Sequence, residues 1–461
     1  MFSANTFARR REQLMHQVGR GIILLMGNEY SPKNYLDNTF PFRQDSNFLY
    51  YIGLDHAHLA AILDTETGET ILFGNELSIE DIVWMGAQPS LKDQAQQVGI
   101  QKVQNYDLLV EGLQAANKQN RAIHFLPPYR AENKINLAFW LHLPLLDLQK
   151  EASATLIKAI VAQRSVKTGE EIAEMEKALV TTKAMYLAAM KQTKPGVKEA
   201  QLAGIAQGIA VAGGGDLAYP IILTINGQVL HNHDHHNILK PGQLLLADMG
   251  AESSMHYAAD ITRTWPVDVT FTQQQKEIYQ IVLDAQLAGI AASRPGVRNL
   301  DVHFAAAKVI TNGLKSLGLL LGDTDEIVQA GAHALFFPHG LGHMIGLDVH
   351  DMEDLGESYV GYTEGLERST QFGLKSLRMA RELQAGFVMT IEPGIYFIPQ
   401  LIDMWQAEGR FSQFINYPAL QAYRDFSGVR IEDDVLVTYD EPRVLGPAIP
   451  KEIGEIEALR G

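Results

Sequence analysis

The sequence predicts an α/β domain over residues 1–165, followed by an α+β domain over residues 166–461 built from two related halves. Three observations carry this reading. Short aliphatic runs bounded by turn residues recur through the first third of the chain, as strands do. Two long helical patterns then open with the same capping chemistry, at Thr168 and Thr272. Finally, a glycine–carboxylate–glycine pattern appears twice, each time inside an apolar strand-like run. A chain of 461 residues has room for two or three domains.

The elements of the first domain follow in order. A helix is expected to open near Asn5, ahead of the buried strand "GIILLMG" at 21–27. "HLAAILD" and "TILFG" flank the turn-prone "TETGE" and read as a hairpin. "RAIHFLPPYR" reads as a further strand ended by two prolines, which cannot donate to a ladder. The second domain starts with Thr168 and Glu171 at capping-box spacing. Ile172, Met175, Leu179, Thr182 and Tyr186 then recur at three- and four-residue steps, giving one apolar helical face.

Within this domain the sequence echoes itself. The first helix ends in "TKPGV" at 193–197, and the helix opened by Thr272 and Gln275 ends in "SRPGV" at 293–297. Downstream, "GQLLLADMG" (242–250) and "GFVMTIEPG" (386–394) each place a carboxylate six residues after a glycine and a second glycine two later. Asp248 and Glu392 are therefore expected at equivalent places. Each half also offers a second acidic strand, with Asp260 in "HYAADITRTWPV" and Glu432 in "GVRIEDDVLVT".

Composition narrows the partners. A net charge of −16 argues against nucleic acid or an acidic membrane as the main partner, because both reward basic patches. The absence of cysteine excludes disulfides, thiolate metal sites and cysteine nucleophiles. No apolar run approaches the 18 residues of a membrane span, and no signal-peptide core follows the basic run near residue 10, so a cytoplasmic protein is expected.

Carboxylates are rarely buried without a partner. Taken singly, Asp248, Asp260, Glu392 and Glu432 each read as a solvent-facing or salt-bridged acid, with Arg263 and Arg430 at hand. Taken together, they point to a centre holding two divalent cations. Such a pair can polarise a carbonyl and activate water, which is hydrolytic chemistry. Oxygen ligands suit a hard ion such as Mn²⁺, and one imidazole tilts the set toward the transition series. "FPHGLGHMIGLDVHD" (337–351) supplies the imidazole. Its Gly340, Gly342 and Gly346 disfavour a helix, so it reads as an extended or looped segment, with His343 as the candidate ligand.

These residues, within "DMG", "DITRT", "HGLGHMIGLDVHD", "TIEPGIY" and "GVRIEDD", resemble the five-ligand set of the pita-bread peptidases, the creatinase/aminopeptidase-like fold. Within that group the chain is similar to aminopeptidase P and prolidase, which cut the bond preceding proline. The resemblance covers nearly the whole chain. "PFRQDSNFLYYIGL" (41–54) is similar to the amino-terminal domain of aminopeptidase P, while the stretch from His339 to Val437, including "GLKSLRMARELQAG", is closer to prolidase. One departure concerns Asp248 and Asp260, twelve residues apart where relatives have eleven. A bulge is expected to absorb the extra residue, since a one-residue slip would turn Asp260 to the wrong face.

The resemblance implies Asp248 as terminal ligand of one metal, His343 and Glu392 as terminal ligands of the other, and Asp260 and Glu432 bridging. The metal is expected to be manganese, with cobalt, zinc and iron as alternatives. Glu392 would handle the proton of the attacking water. His339 and His350 would hold substrate and stabilise the oxyanion, and His231 would touch substrate. His233, His235 and His236 receive no role and read as a solvated loop. Arg378 aligns with the arginine that binds a dipeptide's free carboxylate, a bidentate task suited to guanidinium. Arg430 would be an outer partner of the ligand carboxylates. The implied substrates are peptides with proline in second position, and the implied assembly is a homodimer or homotetramer. A strict Xaa-Pro dipeptidase, a metal-free binding module of the same fold and a creatinase-like hydrolase are the competing readings. Retention of all five ligand residues disfavours the last two.

Overall fold

The computed structural model describes residues Met1–Gly461. The chain divides into two compact units, Met1–Arg164 with Asp354–Tyr359, and Ser165–Glu353 with Val360–Gly461.

The first unit is built on one mixed sheet. Its strands are β1 (Ile22–Met26), β2 (Ala60–Asp64), β3 (Thr70–Phe73), β4 (Lys102–Gln104) and β5 (Ile123–His124), in the order β4-β3-β2-β1-β5. β2 and β3 form the expected antiparallel hairpin, and β1 pairs antiparallel with β2. The expected strand in "RAIHFLPPYR" is only two residues long, paired parallel to β1. The opening helix Ala4–Val18 is capped by Ser3, whose Oγ accepts from the Thr6 amide at 3.2 Å. Ile22, Leu24, Ala60, Ile62 and Phe73 pack with Leu109 and Leu113 into the core of this unit.

The second unit repeats one plan. Helix Gly169–Gln192 opens with the expected capping box, in which Thr168 and Glu171 satisfy each other's backbone amides. It buries Met175, Leu179, Thr182 and Tyr186, while Ile172 is only half-buried. Helix Gln273–Ala292 opens identically with Thr272 and Gln275. After each helix comes a second one, Glu199–Ala212 or Asn299–Ser316. The turn before it is tied to the strand region in the same way: Gly196 donates to Leu239 O and Gly296 to Leu383 O, both at 2.9 Å.

In the first half the strands are β6 (Ile222–Thr224), β7 (Leu244–Asp248) and β8 (Thr262–Pro266), antiparallel in that order. In the second they are β9 (Val388–Ile391), β10 (Gly394–Tyr396), β11 (Gly428–Arg430), β12 (Asp433–Leu436) and β13 (Arg443–Val444). β9 pairs with β12, and β10 with β11. Residues 341–345 run beside β9 as β6 runs beside β7: the Thr390 amide donates to His343 O at 2.9 Å, and the Glu392 amide to Leu341 O at 2.8 Å. This segment is extended, as its glycines require. A Cβ on Gly342 would lie 1.8 Å from Thr390 O, and one on Gly340 would lie 2.8 Å from the Leu377 Cα. The two halves meet where Thr262 bridges Glu432.

The spacing of Asp248 and Asp260 resolves differently from expectation. Pairing continues in one register from Leu244↔Pro266 through Asp248↔Thr262 to Glu252↔Ala258, with no bulge between the aspartates. The turn absorbs the extra residue instead. His256 closes it at φ 64°, and its Nδ1 lies 2.6 Å from Glu252 Oε1. In this register Asp260 stands opposite Gly250, two places from Thr262, so it shares a face with Asp248.

No helix is long and apolar enough to cross a membrane.

Candidate metal centre

All ten residues singled out from the sequence reach one cavity of about 430 Å³: His231, Asp248, Asp260, His339, His343, His350, Arg378, Glu392, Arg430 and Glu432. Asp248 ends β7, Glu392 follows β9 where Pro393 interrupts the ladder, and Glu432 fills the gap between β11 and β12. Strand ends deliver the acids because a rigid ladder fixes their backbone while the break lets the side chain turn inward.

Asp260, His343 and Glu432 each offer a ligand atom within 4.8 Å of the other two. His343 Nε2 lies 3.4 Å from Asp260 Oδ2 and 3.7 Å from Glu392 Oε1. The His343 Nδ1 is 3.0 Å from Met344 O, so Nδ1 carries a proton, while Nε2 faces the carboxylates, donating to Asp260 when protonated and offering its lone pair once a cation takes the place of that proton. Asp248 stands at the other side of the group. Its Oδ2 accepts from Arg430 Nη2 at 2.6 Å. Tyr219 Oη lies 2.7 Å from Asp248 Oδ1 and 2.5 Å from Asp260 Oδ1, and its single proton can serve only one of them at a time.

The electrostatics show what this cluster lacks. Burial, reinforced by the neighbouring carboxylates, raises Asp248 and drives Glu432 well above the usual range. Burial pushes Glu392 up to about 7, against the pull of His343 and Arg430. Burial would raise Asp260 too, but the hydrogen bond and charge of His343 bring it below its ordinary value. Three buried carboxylates and the half-buried Glu392 thus face one guanidinium and one imidazole, and protons make up the deficit. A divalent cation relieves the same repulsion, and an O,O,O,O,N donor set suits one. The residues present fit a metal centre.

Arg430 is the outer partner the sequence implied. Besides Asp248 it donates to Thr262 Oγ1 at 3.1 Å and Tyr396 Oη at 2.9 Å. Arg263 is not part of the site: it pairs with Asp433 at 2.6 Å and donates to Glu432 O at 2.7 Å. His339 Nδ1 donates to Gly340 O at 2.7 Å, and its Nε2 accepts from Tyr396 Oη at 2.8 Å. Burial, then Arg430, lowers His339 to about 3, so the ring is neutral. His233, expected in a solvated loop, also lines the cavity, whereas His235 turns away to Leu223 O at 3.2 Å.

Sequence reasoning missed several participants. Tyr219 links the two aspartates from a stretch, "AYP", that carries no signal of its own. Asp434 Oδ2 accepts from the Asp260 amide at 3.1 Å, and burial drives its carboxyl well above the ordinary range. Lys167 and Asp351 form a fully buried ion pair at 2.7 Å, and Asp351 in turn accepts from the Asp348 amide, pinning the loop that carries His350.

Asp260 and Glu432, the second acid of each half, do not occupy equivalent places. Asp248 and Glu392 do match, each two residues before a glycine. The register from Ile391↔Asp433 to Gly394↔Arg430 sets Glu432 opposite Glu392 and Arg430 opposite Gly394. In the first half Thr262 stands opposite Asp248, and Asp260 opposite Gly250. Arg430 therefore takes the place of Asp260, and Glu432 that of Thr262. The duplicated backbone carries two different acid placements.

Residues 173–439 match the metallopeptidase family M24, and residues 7–124 match the amino-terminal domain of aminopeptidase P. The chain belongs to metallopeptidase family M24. Among its relatives, the Xaa-Pro dipeptidase of Homo sapiens is 33% identical, across 98% of this chain and 92% of that protein. A probable Xaa-Pro aminopeptidase of Fusarium vanettenii is also 33% identical, across 92% and 88%. In three dimensions the chain is similar to an aminopeptidase of Pseudomonas aeruginosa, with a TM-score of 0.82, 29% identity and coverage of 99% and 98%. It is likewise similar to zinc-substituted Escherichia coli aminopeptidase P in complex with product, at a TM-score of 0.79 and 27% identity over 99% and 98%. The architecture is thus an α/β amino-terminal domain with a pita-bread catalytic domain, and the M24 metallopeptidase is an enzyme whose buried Asp/His/Glu cluster points to divalent metal.

Proposed function

We propose that this metallopeptidase hydrolyses the bond preceding proline, releasing the residue before it from peptides with proline in second position, Xaa-Pro dipeptides included. The observation that carries the reading is the meeting of Asp248, Asp260, His343, Glu392 and Glu432 in one cavity with His231, His339, His350 and Arg378. The relatives' names, dipeptidase and aminopeptidase, support the substrate class.

Two divalent ions are proposed, manganese foremost, with cobalt, zinc and iron as alternatives. Asp248 would hold one, His343 and Glu392 the other, and Asp260 and Glu432 both. When bound, the ions polarise the scissile carbonyl and make water nucleophilic at neutral pH. Glu392 takes a proton from that water and returns it to the leaving amine. His350 and His339 hold the substrate, and the developing oxyanion falls to His350 in its protonated form; His339 Nε2, which accepts from Tyr396 Oη, can exchange that hydrogen bond only for one donated by the substrate. Arg430 keeps Asp248 ionised and oriented. The bond before proline lacks an N–H, so recognition must rest on the ring, the free amine and, in a dipeptide, the carboxylate at Arg378. A cytoplasmic location and a homodimer or homotetramer belong to the same proposal; light scattering tests the assembly.

A strict dipeptidase is the second reading, favoured by the 33% identity to a dipeptidase over nearly the whole chain. Turnover of Gly-Pro against a Gly-Pro-containing tripeptide separates the two. Metal analysis, chelation and Mn²⁺ readdition should abolish and restore both activities. Full turnover by protein verified as metal-free would sink the metallopeptidase mechanism. Arg378→Ala should raise the KM of the dipeptide far more than that of the tripeptide, and equal losses would reject its carboxylate role.

A further inference from the structure

Arg378 lines the cavity, yet a carboxylate already engages it. Glu353 Oε1 forms an ion pair with Arg378 Nη1, and Glu353 Oε2 lies 2.6 Å from His350 Nδ1. One side chain thus ties together the arginine proposed for a dipeptide's free carboxylate and a histidine proposed for the oxyanion. Arg378 and Glu353 are only partly covered, at 32% and 42% exposure, so this contact can open without unpacking the core. Glu353 lies in "HDMEDLG", and no expectation drawn from the sequence included it.

Resting on the reading of Arg378 given above, we propose that Glu353 is a specificity-determining residue: its carboxylate occupies Arg378 in the free enzyme, standing in for the carboxylate of an Xaa-Pro dipeptide. The bound dipeptide must displace this group or share the guanidinium with it. Two anions at one cation repel each other, so the reward for a free carboxylate shrinks. A peptide that continues beyond proline offers only a neutral amide there and suffers no such competition. Glu353 thereby moves the enzyme's preference away from strict dipeptides and toward longer chains. The hydrogen bond from His350, and then Arg378, holds the Glu353 carboxyl down at about 2 against its partial burial, which keeps it anionic at every working pH.

The test compares Gly-Pro with its amide, two substrates that differ only in that carboxylate. An effect of Glu353 on His350 acts on both and cancels in the ratio of their KM values. In Glu353→Gln, the ratio of KM for the amide to KM for the acid is expected to rise roughly 1.5- to fivefold, the range for a partly exposed ion pair released from competition. In the double variant Glu353→Gln/Arg378→Ala that gain should vanish. A ratio that stays level overturns the proposal. So does one that falls, since Glu353 would then be orienting Arg378 for the substrate carboxylate. A gain that survives loss of Arg378 overturns it as well. The underlying reading fails separately, and earlier, if the unaltered enzyme cleaves neither substrate.

Discussion

In the first half of the catalytic unit the chain reaches Asp248 at the end of β7 and returns opposite it with Thr262; in the second it reaches Glu392 beyond β9 and returns with Glu432. Two residues earlier on the return strands stand Asp260 and Arg430. A two-residue step preserves the face of a strand. Both arrangements therefore aim acids into the same cavity, although the acids fall at different steps of the ladder. The offset has a consequence at the seam. Thr262 Oγ1 donates to Glu432 Oε2 at 2.6 Å while accepting from Arg430, so the non-acidic place in one half supports the acid of the other. Duplication supplied the backbone, and unequal substitution made a ligand set from it.

The largest expected effect sharpens that contrast. Glu432→Ala should lower metal content and cut turnover by more than the roughly 10- to 100-fold that loss of an outer partner costs, whereas its positional counterpart Thr262→Ala should stay within that range. Steady-state kinetics with metal analysis checks this, and equal losses would erase the distinction between the halves.

Next comes Arg430, which stands where the first half has Asp260. Arg430→Met leaves Asp248 buried without its cation, at a cost of about 3–5 kcal/mol to the metal-free protein. Urea unfolding after chelation measures it. An unchanged midpoint would mean that the guanidinium does not hold the acid.

A smaller difference concerns pH. The helices Glu199–Ala212 and Asn299–Ser316 follow matching turns, yet Ala203 in the first corresponds to buried His303 in the second. His303 stacks on Phe337 at 5.2 Å and lies 6.5 Å from buried His333, ring centre to ring centre. Burial lowers His303 to about 3 and His333 to about 4. Both are neutral when folded but accept protons near pH 6.5 when unfolded, so their contribution is intact above that pH. It falls as the pH drops toward 4 and 3, by a few kcal/mol in total. His303→Phe should flatten the decline in thermal midpoint below pH 6.5. A slope matching the unaltered protein would place the acid sensitivity elsewhere.

Much of this was legible beforehand, for a shared reason. The capping boxes at Thr168 and Thr272 and the hairpin of β2 and β3 depend on neighbours within a few residues, and all form as read. The ligand candidates were legible because each sits in its own short motif. The extra residue between Asp248 and Asp260 was misplaced, since a left-handed His256 in a turn leaves no mark that separates it from a bulge. Tyr219 and Asp434 escaped notice because their partners are 29 and 41, and 174 residues away; Glu353 stands three residues from His350, but its tie to Arg378, 25 residues on, leaves no local mark.

By itself, then, the sequence determined the opening helix, the helices that begin at Thr168 and Thr272 and most strands, the repeated plan of the second domain and the identities of the acids and histidines, all set by local chemistry and periodicity. Only the tertiary structure decided the register between strands, and with it the exchange of Arg430 for Asp260 and Glu432 for Thr262. It also decided which tyrosine and which glutamate close around the site. Register is settled by burying whole faces at once, a property of the assembled sheet that no single segment carries.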